Sequence, residues 1–177
     1  MKFIRFIIYI SIISFTKVLI AQTIAVINVQ FLIDNNYKYN DVITKMEISQ
    51  KKYLESFAKK EKDLDNIFEE LEQSKLILNE NEINNQIKKY NQELTNFTLL
   101  VEEFNLHYQN QIINIREIIL KEIFILLEKY AINNKIDLVL DSTTYLIASN
   151  SIDITQNIND ELLKTNFKLE YNDFETN

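Results

Sequence analysis

Glycine, proline, cysteine and tryptophan are all absent from this 177-residue sequence, and His107 is its single histidine. Each absence removes a class of chemistry. Without glycine, no loop can let the backbone approach a phosphate, so neither a G-x-G-x-x-G nor a Walker-type nucleotide cradle can be built. Without cysteine there is no thiolate nucleophile, and one imidazole cannot assemble a His/Cys zinc site. Positive charge is also scarce: 19 Lys and Arg stand against 26 Asp and Glu, a formal net charge of -7. Affinity for nucleic acid comes mostly from lysine and arginine displacing counterions, so nucleic acid is not expected as a partner. The adjacent carboxylates Glu69-Glu70 and Glu102-Glu103 make no acid–base pair, because sequence neighbours point to different parts of a helix surface. The expectation is a protein that is not an enzyme and needs no cofactor or metal. Its length is near that of one ordinary domain. Ile, Asn and Lys abound instead, a bias expected when codons avoid G and C.

The first residues have the order of a secretory signal. Met1 to Arg5 carries two positive charges, Phe6 to Phe15 is nearly continuously apolar, and Leu19-Ile20-Ala21 offers a small residue for cleavage. Residues 1–21 therefore read as a signal peptide, leaving a single domain at 22–177. The alternative is an uncleaved anchor. A second apolar run up to Val29 favours it, whereas Lys17 interrupts the span short of the ~20 apolar residues that a bilayer needs.

Beyond the signal, Thr23 to Val29 is short and rich in β-branched residues, as a buried strand would be. A polar stretch, Asp34 to Asp41, follows it. Two more strands are predicted near the other end, Ile136 to Leu140 and Thr144 to Ala148, separated by the turn-forming Asp141-Ser142-Thr143. Asp153 and Gln156 have the spacing of a capping box opening a short helix, Ile154 to Lys164. The polar tail after Asn166 is expected to fray, so 167–177 is set apart from the body.

Between these ends lies a long helical segment with heptad periodicity. One arm places Met46, Tyr53, Phe57, Leu64, Ile67, Leu71 and Leu78 on its seam. The other places Ile83, Ile87, Tyr90, Leu94, Phe97, Val101, Phe104, Tyr108, Ile115, Ile118 and Ile125 there. Asn79-Glu80-Asn81-Glu82 is the one pause in the pattern, and asparagine weakens a helix. Folding back at that pivot sets Met46 against Ile115, Phe57 against Phe104 and Leu71 against Tyr90, with polar Gln50 opposite polar Gln111. The fold class is therefore α+β: a long antiparallel coiled-coil hairpin, 43–111, projecting from a small β-sheet body made of 22–42 and 112–166. At ~1.5 Å per residue each arm extends roughly 50 Å, beyond any body this chain can build.

A second apolar column, Leu99, Leu106, Ile113, Leu120 and Leu127, runs opposite the seam of the returning helix. A helix that is apolar on two faces is covered on both. Leu54, Phe68, Leu76, Ile77, Leu99, Leu100 and Leu106 fall off the hairpin seam and are read as contacts for a bound protein, with subunit packing as the alternative. The aromatic seam residues Tyr53, Phe57, Tyr90, Phe97 and Phe104 are read as core. His107, lacking a partner at useful spacing, is read as a helix-surface or boundary residue.

The two chain ends resemble the Skp/OmpH family of periplasmic chaperones. The similarity lies in Ile24-Ala-Val-Ile-Asn-Val-Gln-Phe-Leu32 and, more specifically, in Ile136-Asp-Leu-Val-Leu-Asp141, Leu146-Ile-Ala-Ser149 and Ile152-Asp-Ile-Thr155 ahead of a short helix. Their order, with the hairpin between them, agrees over essentially the whole of 22–177. The resemblance implies a homotrimer whose three hairpins surround a cavity. In that cavity unfolded outer-membrane proteins would be held in the periplasm, without ATP. The alternative function, from the residues, is a membrane-anchored coiled-coil scaffold of the envelope that keeps its N-terminal helix. One departure from the family stands out. Its arms are basic, whereas here Asp63, Asp65, Glu69, Glu70, Glu72, Glu80, Glu82 and Glu93 face only Lys75, Lys88 and Lys89 along the outer arm. Client capture is accordingly expected to be apolar, and contact of the arm tips with a membrane is not expected.

Overall fold

Three asparagines mark where helices of this chain begin. The computed structural model describes residues 22–175, so the expected signal at 1–21 lies outside the described residues. Strand β1 (Ile24–Ile27) runs into Asn28, whose side chain accepts the Phe31 amide at 2.9 Å and opens helix α1 (Val29–Asp34). Asn36 is buried and accepts from the amides of Lys38 and Tyr39, starting the long helix α2 (Tyr37–Ser74). Asn79 accepts from Glu82, and the Glu82 carboxylate accepts from the Asn79 amide; this reciprocal cap starts α3 (Glu80–Asn134). Asparagine is a weak residue inside a helix, but before one it satisfies amides that would otherwise lack partners. The polar stretch after β1 is thus the junction of two helices.

The chain reverses between Ser74 and Asn79, just ahead of the expected pivot at residues 79–82, whose last three residues form the first turn of α3, and α2 and α3 pack antiparallel. Phe57 lies edge-on to Phe104 with centroids 5.0 Å apart, the pairing that the folded-back heptads predict, and also 5.9 Å from Phe97. Phe57 therefore sits between two partners on the facing helix, as a coiled-coil knob does. Farther out, Phe68 meets Tyr90 at 5.6 Å, and Lys60 pairs across the hairpin with Glu93 at 2.9 Å. At 1.5 Å per residue, the 38 residues of α2 span about 57 Å and the 55 of α3 about 82 Å. Seam burial fades outward: no side chain of α3 from Glu80 to Glu103 is fully buried.

At its other end α3 stops in a left-handed residue, Lys135 (φ 55, ψ 43), the only positive φ among the described residues. The Lys135 amide bonds to Ile132 and the Ile136 amide to Ala131 at 2.9 Å, the double bond of a Schellman ending. Glycine ordinarily takes this position; here a lysine does. Strand β2 (Leu138–Asp141) then pairs parallel with β1 in the register Ile24 to Leu138 and Ile27 to Asp141. Helix α4 (Thr155–Lys164) completes the body.

The body core joins Ala25 and Ile27 of β1, Leu32 and Ile33 of α1, Ile119, Ile123 and Leu127 of α3, and Ile158 and Leu162 of α4. Four elements thus bury their apolar faces together, each large side chain contributing about 1.5–3 kcal/mol. A second cluster lies at the arm root, around Val42, Met46, Phe57, Phe104, Tyr108 and Ile115.

Four expectations are corrected. Thr144 to Ala148 is not a strand: a 3₁₀ turn takes Ser142–Thr144, and Leu146 and Ile147 stand 100% and 92% exposed. The place beside β1 is held instead by a single bridge, Val26 to Asp153, with the Ile154 amide bonded to Val26. Asp153 and Gln156 do not form a capping box, because Asp153 accepts from Thr155 at 2.8 Å and Gln156 bonds to Asp160. Ile118 and Ile125 leave the seam and are exposed; the buried row becomes Ile115, Ile119, Ile123 and Leu127. Steps of four advance about 40° round a helix, so this row turns the buried face of α3 from its arm partner toward the body. Finally, residues 167–175, the described part of the tail, form no helix or strand yet pack down, burying Phe167 in the body and Phe174 in the arm root.

Candidate functional site

The long arms place most of the predicted contact residues in solvent. Leu54 and Phe68 on α2 and Leu99 and Leu106 on α3 are all exposed, and Leu76 and Ile77 at the turn are 91% and 84% exposed. Leu99 and Leu106 are seven residues apart and share one face of α3. Leu100 differs: it is half-buried, packs against the arm-root cluster, and lines a shallow groove with Lys60, Glu93 and Phe97. Phe68 is partly engaged as well, through the Tyr90 ring. The seven residues do not converge on one pocket. They are dispersed along the arm, an arrangement suited to many weak contacts with an extended chain.

Of the aromatic seam residues, Phe57 and Phe104 are buried as core, while Tyr53, Tyr90 and Phe97 are half-buried. The half-buried tyrosine at 53 has a further partner that the heptads cannot show. Residues 165–175 leave α4 and run up the arm root as an extended strap. Lys38 donates to the carbonyls of Thr165 at 2.8 Å and Phe167 at 3.2 Å, with its ammonium 4.4 Å from the Phe167 ring centroid. Tyr171 donates to the Lys45 carbonyl, and the Asn172 amide donates to the Gln111 side chain at 3.2 Å. His107 Nε2 lies 2.8 Å from the Asn172 carbonyl. Tyr53 donates to the Phe174 carbonyl. The Phe174 ring sits edge-on to Phe104 at 5.4 Å and to Tyr53 at 5.5 Å, with His107 at 5.5 Å.

Between these anchors the Asp173 carboxylate accepts from the hydroxyls of Ser49 and Tyr108, the latter at 2.8 Å. These bonds hold Asp173 below the ordinary aspartate range, Ser49 contributing most, with Lys52 adding attraction. Burial, aided by the adjacent carboxylate, pushes the Tyr108 hydroxyl up to about 12. Sequence reading finds the polar position at Gln111 but not its purpose, and it leaves His107 without a partner. The available signal was the run of apolar side chains Phe167, Leu169, Tyr171 and Phe174 in the tail, with Asp173 among them.

Among the described residues, no group of three or more His, Cys, Asp or Glu could hold a metal ion, and no helix is long and apolar enough to cross a membrane.

This architecture has known counterparts. The crystal structure of an OmpH-like protein from Caulobacter crescentus superposes with a TM-score of 0.68 at 12% identity. The match covers 86% of this chain and 93% of that one. No curated protein matches at a significant level. The family model "Outer membrane protein (OmpH-like)" matches residues 23–162, from the first strand through the hairpin to α4. With the paired terminal strands, the hairpin between them and the closing helix all inside that match, the chain belongs to the OmpH-like family.

Proposed function

We propose that the chain is an ATP-independent holdase that binds unfolded outer-membrane proteins in the periplasm and prevents their aggregation. The observation that carries this reading is the display of separate apolar side chains along an arm that projects from the body. Membership of the OmpH-like family supports a chaperone role, and dispersed apolar contacts supply a means of holding that requires no fixed client sequence. Release needs no nucleotide, because a passive holder gives up its client to any sink that binds it more strongly.

In this reading the holder is a homotrimer. The body supports it with several exposed large apolar side chains: Leu138 on β2, Phe124 and Ile125 on α3, and Leu146 and Ile147 in the following loop. Burial of such side chains against another copy would remove apolar area from water. The acidic outer arm narrows the mechanism to apolar capture, since acidic clients are repelled rather than attracted there.

The test dilutes an unfolded outer-membrane barrel protein into buffer with and without the purified chain freed of residues 1–21, while light scattering is followed. Suppression near one trimer per client is expected; its absence at that ratio defeats the reading. Leu99→Ser with Leu106→Ser is expected to weaken suppression while the helical circular dichroism stays intact. If helicity collapses, the two leucines are structural.

A further inference from the structure

The strap is gripped mostly by its main chain. Lys38, Tyr53 and His107 reach strap carbonyls, and Gln111 takes a strap amide. None of those bonds depends on which side chains the strap carries. Its side chains are read by Phe174 among the rings of Tyr53, Phe104 and His107, by Asp173 with Ser49 and Tyr108, by Phe167 buried in the body beside Lys38, and by the Tyr171 hydroxyl on the Lys45 carbonyl. The strap itself has no regular secondary structure, and Asn172 and Asp173 remain exposed. Beside it an open groove of about 790 Å³ runs along α3, lined by Glu103, Leu106 and His107. The seat of the strap is thus continuous with Leu106, one of the residues offered to clients.

We infer that the arm root is a binding groove for an extended peptide segment bearing an aromatic side chain, and that residues 165–175 are its resident occupant, displaced when a client segment enters. The inference rests on the holdase reading for the identity of the incoming segment, an unfolded polypeptide. Backbone recognition with a few aromatic anchors is the chemistry that suits a promiscuous holder. A tethered occupant acts at an effective concentration in the mM range. It therefore excludes short or weakly bound peptides and yields to a long chain that also engages the outer arm. The strap sets a threshold for occupancy.

The experiment uses the chain with a single reporter. Because native cysteine is absent, Glu175→Cys takes one fluorophore, whose anisotropy reads whether the strap is seated. The first probe is an unlabelled synthetic peptide with the sequence of residues 168–177; the second is an unfolded barrel protein. The barrel protein is expected to lower the anisotropy near one client per trimer, and the short peptide only when it reaches the mM range of the tethered strap. In a second measurement, the labelled peptide is expected to bind the Phe174→Ala chain roughly 10- to 100-fold more tightly than the unaltered chain, as removal of a tethered competitor predicts. Adding His107→Ala and Gln111→Ala is expected to abolish that gain.

Equal peptide binding by the unaltered and Phe174→Ala chains overturns the inference. So does a client held in solution with no change in the reporter. If Phe174→Ala loses helicity, the reporter chain, whose strap residues 165–174 are unaltered, decides alone. Displacement by the peptide without any holding of the barrel protein keeps the groove and removes the chaperone reading.

Discussion

Single residues already fix a dependence on pH. Asp173 and Asp141 are both held below the ordinary aspartate value. For Asp141, burial opposes ionisation. The Thr143 hydroxyl and the amides of Thr143, Val29 and Ser142 outweigh it together, and the carboxylate so ties the end of β2 to the start of α1. A folded pKa below the unfolded one gives stability that is present above about pH 4 and is lost as pH falls through the folded value. The melting temperature is therefore expected to drop in acid, and Asp141→Asn and Asp173→Asn should differ from the unaltered chain at pH 7 but converge with it at low pH. Tyr108 works in the other direction. Its hydroxyl, pushed up to about 12, stays neutral in the fold, so stability present below about pH 10 is lost as pH rises toward 12. Tyr108→Phe should flatten that alkaline limb in a pH series of thermal melts. In the body, Ile119 has no exposed surface, and Ile119→Ala is expected to cost about 2–5 kcal/mol in denaturant unfolding. Lys135→Gly is expected to raise stability by about 0.5–1 kcal/mol, since a left-handed position strains any residue with a Cβ.

Among the elements, the hairpin is the unevenly stabilised one. Its root is closed by three buried aromatics, Phe57, Phe104 and Tyr108, with the strap and the body, whereas α3 from Glu80 to Glu103 contributes no buried side chain. Local opening follows burial. Amide hydrogen exchange is thus expected to be fastest from about residue 72 to 90 and slowest from 115 to 127. Asn79→Ala, which removes a reciprocal cap, is expected to cost about 1 kcal/mol of helix stability and to speed exchange in the first turn of α3. The sequence made the hairpin legible because a heptad repeat and its mirror at Asn79 are long-range patterns carried by many residues. Short elements were less legible. Leu146 and Ile147 have the composition of a strand and no neighbour to pair with in this chain, so propensity alone promised one that the fold lacks. The strap was invisible for a related reason: its anchors are single long-range contacts, such as Asn172 with Gln111, which leave no period behind. For the contact residues, the heptad count found exposure correctly at Leu99 and Leu106 but not the half-burial of Leu100, which depends on how the groove beside Phe97 closes.

At the scale of the whole molecule, the exposed body surface calls for its proposed subunit contacts. Sedimentation equilibrium is expected to give a mass near three chains, and Phe124→Glu with Ile125→Glu should shift it toward one. A trimer unaffected by both changes would place the interface elsewhere. Intact mass of the native protein, beginning at Gln22 rather than Met1, is the matching test of export. The parallel pairing of β1 with β2 has a further consequence. The chain leaves β1 at Ile27, beside Asp141, and re-enters β2 at Leu138, beside Ile24, while α1 and the last turns of α3 are packed into the body on either side of the arm. Arm length is then a quantity separable from the body. Removing one seven-residue unit from α2 and the facing one from α3 would shorten reach by about 10 Å while preserving the seam. Removing it from one helix alone would slide the aromatics past one another. The fold behaves as a ruler with a fixed handle, and the reach of the arm can be set by whole heptads taken in pairs.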